Sequence, residues 1–172
     1  AEIIGGWARS MQGDTATGLA QLRQGFDAMR ATGAELRSPF YYALLAQACA
    51  QAGMRGEALA NISNGLAFQN KNGEFWAAPY LHLVHGDVLL REGSRVEALS
   101  TYQRALEAAQ QTGARLLAIR AAVRMWQTDP SHGLSRSTLQ ELCSRVTEGF
   151  ETDDLRDARR ILDNTSAIGR HN

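Results

Sequence analysis

Apolar and small side chains along this chain follow two periods at once. The short one is helical: after Gly13, Gly53 and Gly93 such residues fall at offsets 5, 6, 9, 12 and 13. That is the i, i+3, i+4, i+7 stripe of a helix buried along one face. The long period is 40 residues: glycine recurs at Gly13, Gly53, Gly93 and Gly133, and a second series, Gly33, Gly73 and Gly113, falls 20 residues later. The stretches GDTATGLAQLRQGF, GMRGEALANISNGL and GSRVEALSTYQRAL align without a gap. Small residues coincide at Gly18, Ala58 and Ala98 and again at Gly25, Gly65 and Ala105. Apolar residues coincide at Leu19, Leu59 and Leu99, at Leu22, Ile62 and Tyr102, and at Phe26, Leu66 and Leu106. A degraded fourth copy, GLSRSTLQELCSRV, keeps Leu139, Leu142 and Val146. The chain is a repeat protein.

The segments between the two glycine series, such as SPFYYALLAQACAQ, APYLHLVHGDVLLRE and ARLLAIRAAVRMWQ, also read as helices. Pro39 and Pro79 stand near helix starts, where a missing N–H costs little, and the glycines end one helix and turn the chain into the next. Each unit is therefore a pair of antiparallel helices, about nine helices in all, and no period-2 run supports a strand. Gly86 precedes Ala98 by 12 residues and Ala105 follows 7 later; Gly6, Gly18 and Gly25, and Ala46, Ala58 and Gly65, repeat that spacing. Such small residues predict close helix crossings, at Gly86 and Ala98 among others, that stack the pairs with a constant rotation. The predicted units are about 1–32, 33–72, 73–112 and 113–147 in one domain spanning 1–172, closed by a capping helix at 152–165.

Composition narrows the function. The chain has 172 residues, with 18 basic and 18 acidic side chains and 44% hydrophobic residues, a size and apolar content suited to one folded domain. Zero formal net charge argues against a nucleic-acid or anionic-membrane surface, which needs an excess of Lys and Arg. Cys49 and Cys143, 94 residues apart in apolar helical contexts, read as free thiols of a reducing compartment. The start, AEIIGGWARS, has no signal-peptide pattern and opens inside a helix, so a fragment of a longer protein is expected.

The units resemble the tetratricopeptide repeat, which has small residues at its eighth, twentieth and twenty-seventh positions and a large apolar or aromatic one at its twenty-fourth. Gly86, Ala98, Tyr102 and Ala105 match all four. The period is 40 rather than the family's 34, and Arg30, Asn70 and Gln110 replace its closing proline. The resemblance implies an all-α, right-handed superhelix of antiparallel helix pairs. The phrases ATGAELRSPFYYALLAQA, GEFWAAPYLHLVHGDVLL, EALSTYQRALEAAQQTGARLLAIRAA and VTEGFETDDLRDARRILD are similar to the C-terminal repeat region of bacterial predicted signalling ATPases fused to nucleotide-cyclase or winged-helix regulator domains. That likeness implies a cytoplasmic, non-catalytic sensory or relay region working in signal transduction or transcription regulation through protein contacts.

No phosphate-binding GxxxxGK[ST], G-x-S-x-G elbow or dinucleotide fingerprint occurs, so no cofactor and no enzyme activity are expected. His82 and His85, near Asp87, lack a third metal ligand; His82 reads as filling the aromatic position of its unit and His85 as packing or facing solvent. Glu148, Glu151, Asp153, Asp154 and Asp157 lack the EF-hand pattern and read as the solvated start of the final helix, capped by Thr152 or Asp153. By the superhelix geometry that the family implies, the first helix of each pair lines a concave groove. Its expected partner-binding residues are Phe40, Gln47, Tyr80, Leu83, Asp87, Arg120 and Gln127, flanked by Ala43, Ala50, Leu90 and Val123; the alternative is that the longer helices close the groove and bury Leu83 and Val123 as core. The groove lacks the Lys and Asn set that clamps a peptide carboxylate. The expected function is a protein- or peptide-binding scaffold; the alternative is a homo-oligomerisation module, with Ile3, Ile4 and Trp7 on an exposed end.

Overall fold

Each turn glycine from Gly13 to Gly113 holds a left-handed backbone, with φ between 69° and 108°, a conformation that an L side chain resists. In a computed structural model of the chain, which describes residues 2–131, 134, 136–147 and 151–168 (164–168 through their backbone alone), these glycines separate the helices. The helices are α1 (Glu2–Met11), α2 (Thr15–Ala31), α3 (Ser38–Gln51), α4 (Arg55–Asn72), α5 (Ala78–Arg91), α6 (Arg95–Thr112), α7 (Arg115–Thr128), α8 (Arg136–Ser144) and α9 (Asp153–Ile168). A short 3-10 turn, Phe75–Ala77, leads into α5. Among the described residues there is no strand. The chain is all-α.

The helix ends follow the local sequence. Met54 N–H donates to Cys49 O at 2.8 Å, Ser94 N–H to Leu89 O at 3.0 Å and Ala114 N–H to Ala109 O at 2.9 Å. These six-to-one bonds close the turns at Gly53, Gly93 and Gly113. Pro39 and Pro79 occupy the first turns of α3 and α5. Gly133 and Glu148 lie outside the described residues.

Helices pack as pairs: α1 with α2, α3 with α4, and α5 with α6, while α7 lies against α6 and is covered by α8 and α9. The pairs then join in two ways, through the second helix of one and the first of the next, α2 to α3, α4 to α5 and α6 to α7, and through successive first helices, α1 to α3, α3 to α5 and, least closely, α5 to α7. An exposed ion pair, Arg23 to Glu57, links α2 to α4.

The small residues act at these crossings. A Cβ on Gly18 would stand 2.4 Å from Ser10 N and 2.6 Å from Gly6 O, so α1 and α2 touch backbone to backbone. In the third pair the atoms nearest to an added Cβ on Gly86 belong to the ring of Tyr102, the first at 2.4 Å. Tyr102 occupies the position of Leu22, and the larger ring fills the space that backbone fills in the first pair. Ala98 is fully buried.

The core has two lobes that meet at α5. Leu81, Val84 and Val88 face the first half of the chain, with Leu22, Phe26, Tyr42, Leu44 and Ile62. Leu83 faces the second, with Leu99, Tyr102, Ile119, Val123 and Leu139. Leu155 and Ala158 of α9 close that second lobe. The helix begins at Asp153 and reaches Ile168, three residues beyond the expected 165. Thr152 accepts from Arg156 N–H at 3.0 Å through its carbonyl, while its buried hydroxyl has no partner among the described residues. Neither Thr152 nor Asp153 is seen to cap α9 through its side chain.

Candidate functional site

Seven residues are two helical turns, so Phe40 and Gln47, Tyr80 and Asp87, and Arg120 and Gln127 each stack on one edge of α3, α5 and α7. The 40-residue register sets them side by side as two rows, Phe40–Tyr80–Arg120 and Gln47–Asp87–Gln127. In the first row the Phe40 and Tyr80 rings are 5.7 Å apart. Between the rows, Tyr80 OH donates to Gln47 Oε1 at 2.6 Å. The same oxygen accepts from Trp7 Nε1 at 2.7 Å, which brings α1 into the array. With its oxygen doubly occupied, the Gln47 amide keeps its NH2 group as a donor.

Farther along, Asp87 Oδ1 accepts from Tyr102 OH at 2.7 Å and lies 3.2 Å from Arg124 Nε. Arg120 makes a two-pronged pair with Asp154 of α9, both bonds at 2.8 Å. Burial pushes the Tyr80 hydroxyl up to about 12, with Arg120 opposing and Asp87 reinforcing the rise. It therefore stays a neutral donor at any ordinary pH. The hydrogen bonding of Arg120 to the Asp154 carboxylate is the first cause that holds Arg120 above the ordinary arginine value. A cleft of about 240 Å³ opens beside Asp87, Leu90, Arg124 and Gln127. Gln127 is exposed, and Phe40, Gln47, Tyr80, Asp87 and Arg120 are partly exposed.

Leu83 is placed differently. It is 2% exposed and belongs to the core between α5 and α7, as does Val123; Ala43 is buried in the other lobe. A residue three past Tyr80 lies about 60° around the helix from it, which here moves the side chain from the edge onto the buried flank. Leu83 therefore lines no groove.

Residues that the sequence did not assign to this edge complete the surface. Trp7 shares the register of Gln47 and Asp87, and that register alone could have found it. A third row, Leu36–Trp76–Leu116, lies four residues before Phe40, Tyr80 and Arg120. Its members are 69%, 48% and 37% exposed, although all three are apolar, and the Trp76 ring sits 5.6 Å from Phe40. Arg124 and Asp154 carry no such signal: Arg124 reaches Asp87 from α7 to α5, and the role of Asp154 depends on how α9 seats on α7.

The histidine pair sits on the opposite edge of α5. Burial lowers the pKa of both His82 and His85, and among the described residues no three His, Cys, Asp or Glu side chains gather as a metal site. The acidic residues at α9 face arginines instead: Glu151 and Asp153 face Arg156 at 3.4 and 3.3 Å, and Asp157 faces Arg160 at 3.1 Å. Cys49 is buried and Cys143 half-buried, and burial raises both thiols. Among the described residues no helix is long and apolar enough to cross a membrane. No family model and no curated protein matches the sequence.

Proposed function

We propose that this chain is a non-catalytic scaffold that binds a protein or peptide segment along the outer edges of α3, α5 and α7. The row Leu36–Trp76–Leu116 carries the reading: one repeat position is apolar and exposed three times over. A repeated exposed apolar strip bordered by polar groups is the usual mark of an interaction surface. Tyr80 and Phe40 extend it inward, and the Gln47 amide is a donor suited to a backbone carbonyl of the partner. Direct packing between successive first helices supports a right-handed, tetratricopeptide-like superhelix with those helices on its concave side. The resemblance of the sequence to repeat regions of bacterial signalling ATPases supports a cytoplasmic role, as a sensory or relay arm that works through protein contacts.

Binders selected from a random-peptide display library test this reading. Trp76→Ala and Tyr80→Ala are expected to weaken a selected peptide by about 2 kcal/mol or more, roughly 30-fold. Asn64→Ala, on the exposed side of α4, is expected to leave affinity unchanged. Equal losses from all three would sink the assignment of the surface.

A second reading, self-assembly, has its own observation. Ile4 is 46% exposed, whereas Leu44 and Val84 at the same repeat position are 1% and 3% exposed. The α1 edge thus presents a side chain that a neighbouring pair buries elsewhere in the stack. Sedimentation across a concentration series distinguishes the two: a monomer throughout excludes assembly through this edge.

A further inference from the structure

At about 100° per residue, His82 lies on the side of α5 opposite Tyr80 and Asp87. There it borders a separate cleft of about 260 Å³ between α4, α5 and α6, lined by Gln69, Phe75, His82, Arg104, Glu107 and Thr112. This is room for a small molecule, just below the roughly 300–1,000 Å³ of drug-sized pockets. One lining group distinguishes the cleft from a surface dent. Gln69 is only 6% exposed, and its buried Oε1 has no hydrogen-bond partner among the described residues. Buried amide oxygens are nearly always paired, so this one calls for a donor.

The charges at the rim limit what that donor belongs to. Arg104 is exposed and makes no ion pair among the described residues. Glu107, one turn along α6, accepts from Gln103 Nε2 at 2.9 Å. A simple anion would meet Arg104 but also the Glu107 carboxylate and the Gln69 oxygen. A simple cation would be repelled by Arg104. A hydrocarbon would leave Gln69 unpaired. A small zwitterion satisfies all of them, with its ammonium on Gln69 Oε1 and Glu107 and its carboxylate on Arg104. Phe75, 53% exposed at the mouth, offers an apolar face to a side chain.

We propose that the cleft bounded by Gln69, His82, Arg104 and Glu107 binds a free α-amino acid. The site stands apart from the peptide-binding surface and does not rest on that reading.

Thermal unfolding in the presence of each common amino acid tests it, with the N-acetyl and amide derivatives of any that binds as controls. At least one is expected to raise Tm by about 5–10 °C at a concentration 100-fold over its Kd. Both blocked derivatives are expected to fail. Gln69→Leu and Arg104→Gln are each expected to weaken binding by about 10-fold or more, while Asn64→Ala leaves it intact. Arg104 is exposed, so its variant retains the fold even if Gln69→Leu disturbs packing. The proposal is overturned if no amino acid shifts Tm, if blocked derivatives bind as well, or if Arg104→Gln binds undiminished.

Discussion

Two glycines of the same chemistry stand in opposite circumstances. Gly18 is held at a backbone-to-backbone crossing, where an added Cβ meets Ser10 N at 2.4 Å. Gly56, in the first turn of α4, has nothing within 4 Å of an added Cβ. Gly18→Ala should therefore force α1 off α2 and cost about 3 kcal/mol. Gly56→Ala should gain about 0.5 kcal/mol through the lower entropy of the unfolded chain. Urea unfolding of the two variants reads the contrast, and equal effects would remove the close crossing. His82 and His85 supply a second test at this scale. Burial lowers both from the free value of 6.5, so below that value the unfolded chain binds more protons than the folded one. Their contribution to stability is whole above 6.5 and is lost as pH falls toward the folded values. Tm should drop as pH falls below about 6.5, and His82→Gln with His85→Gln should flatten that slope. A slope unchanged in the double variant would show that other groups set it.

The seat of α9 includes a specific charged contact. Its Asp154 takes both bonds from Arg120, and Leu155 and Ala158 turn inward beside it. The Arg120 side chain is 38% exposed, which discounts the pair for solvent screening. Arg120→Met is expected to cost about 1 kcal/mol and to quicken amide exchange in α9 more than in α3. Uniform exchange would mean that the apolar contacts alone hold the helix. The helices themselves were legible in the sequence because each carries its own stripe and each turn its own glycine. The rows Phe40–Tyr80–Arg120 and Gln47–Asp87–Gln127 were legible because the register is fixed by the 40-residue period. Leu83 was not, since an edge and a buried flank lie only three residues apart on α5, and both tolerate leucine. Asp154 was not, because nothing local records which helix α9 will cover. The exposed row at Leu36, Trp76 and Leu116 resembled core in composition, and only its exposure separates it.

At the scale of the whole molecule, the stack converts one sequence period into one surface. Successive first helices touch, so residues 40 apart in sequence become neighbours, and three repeats write the same strip three times. On the proposed function, a partner segment lies along that strip. Hydrogen exchange of the protein, free and bound to a library-selected peptide, tests this most directly. Protection is expected to rise in 36–47, 76–87 and 116–127, the stretches that carry the three rows, with α2, α4 and α6 unchanged. Protection confined to α2, α4 and α6, with those three stretches unaffected, would contradict a partner site on the outer edges of α3, α5 and α7.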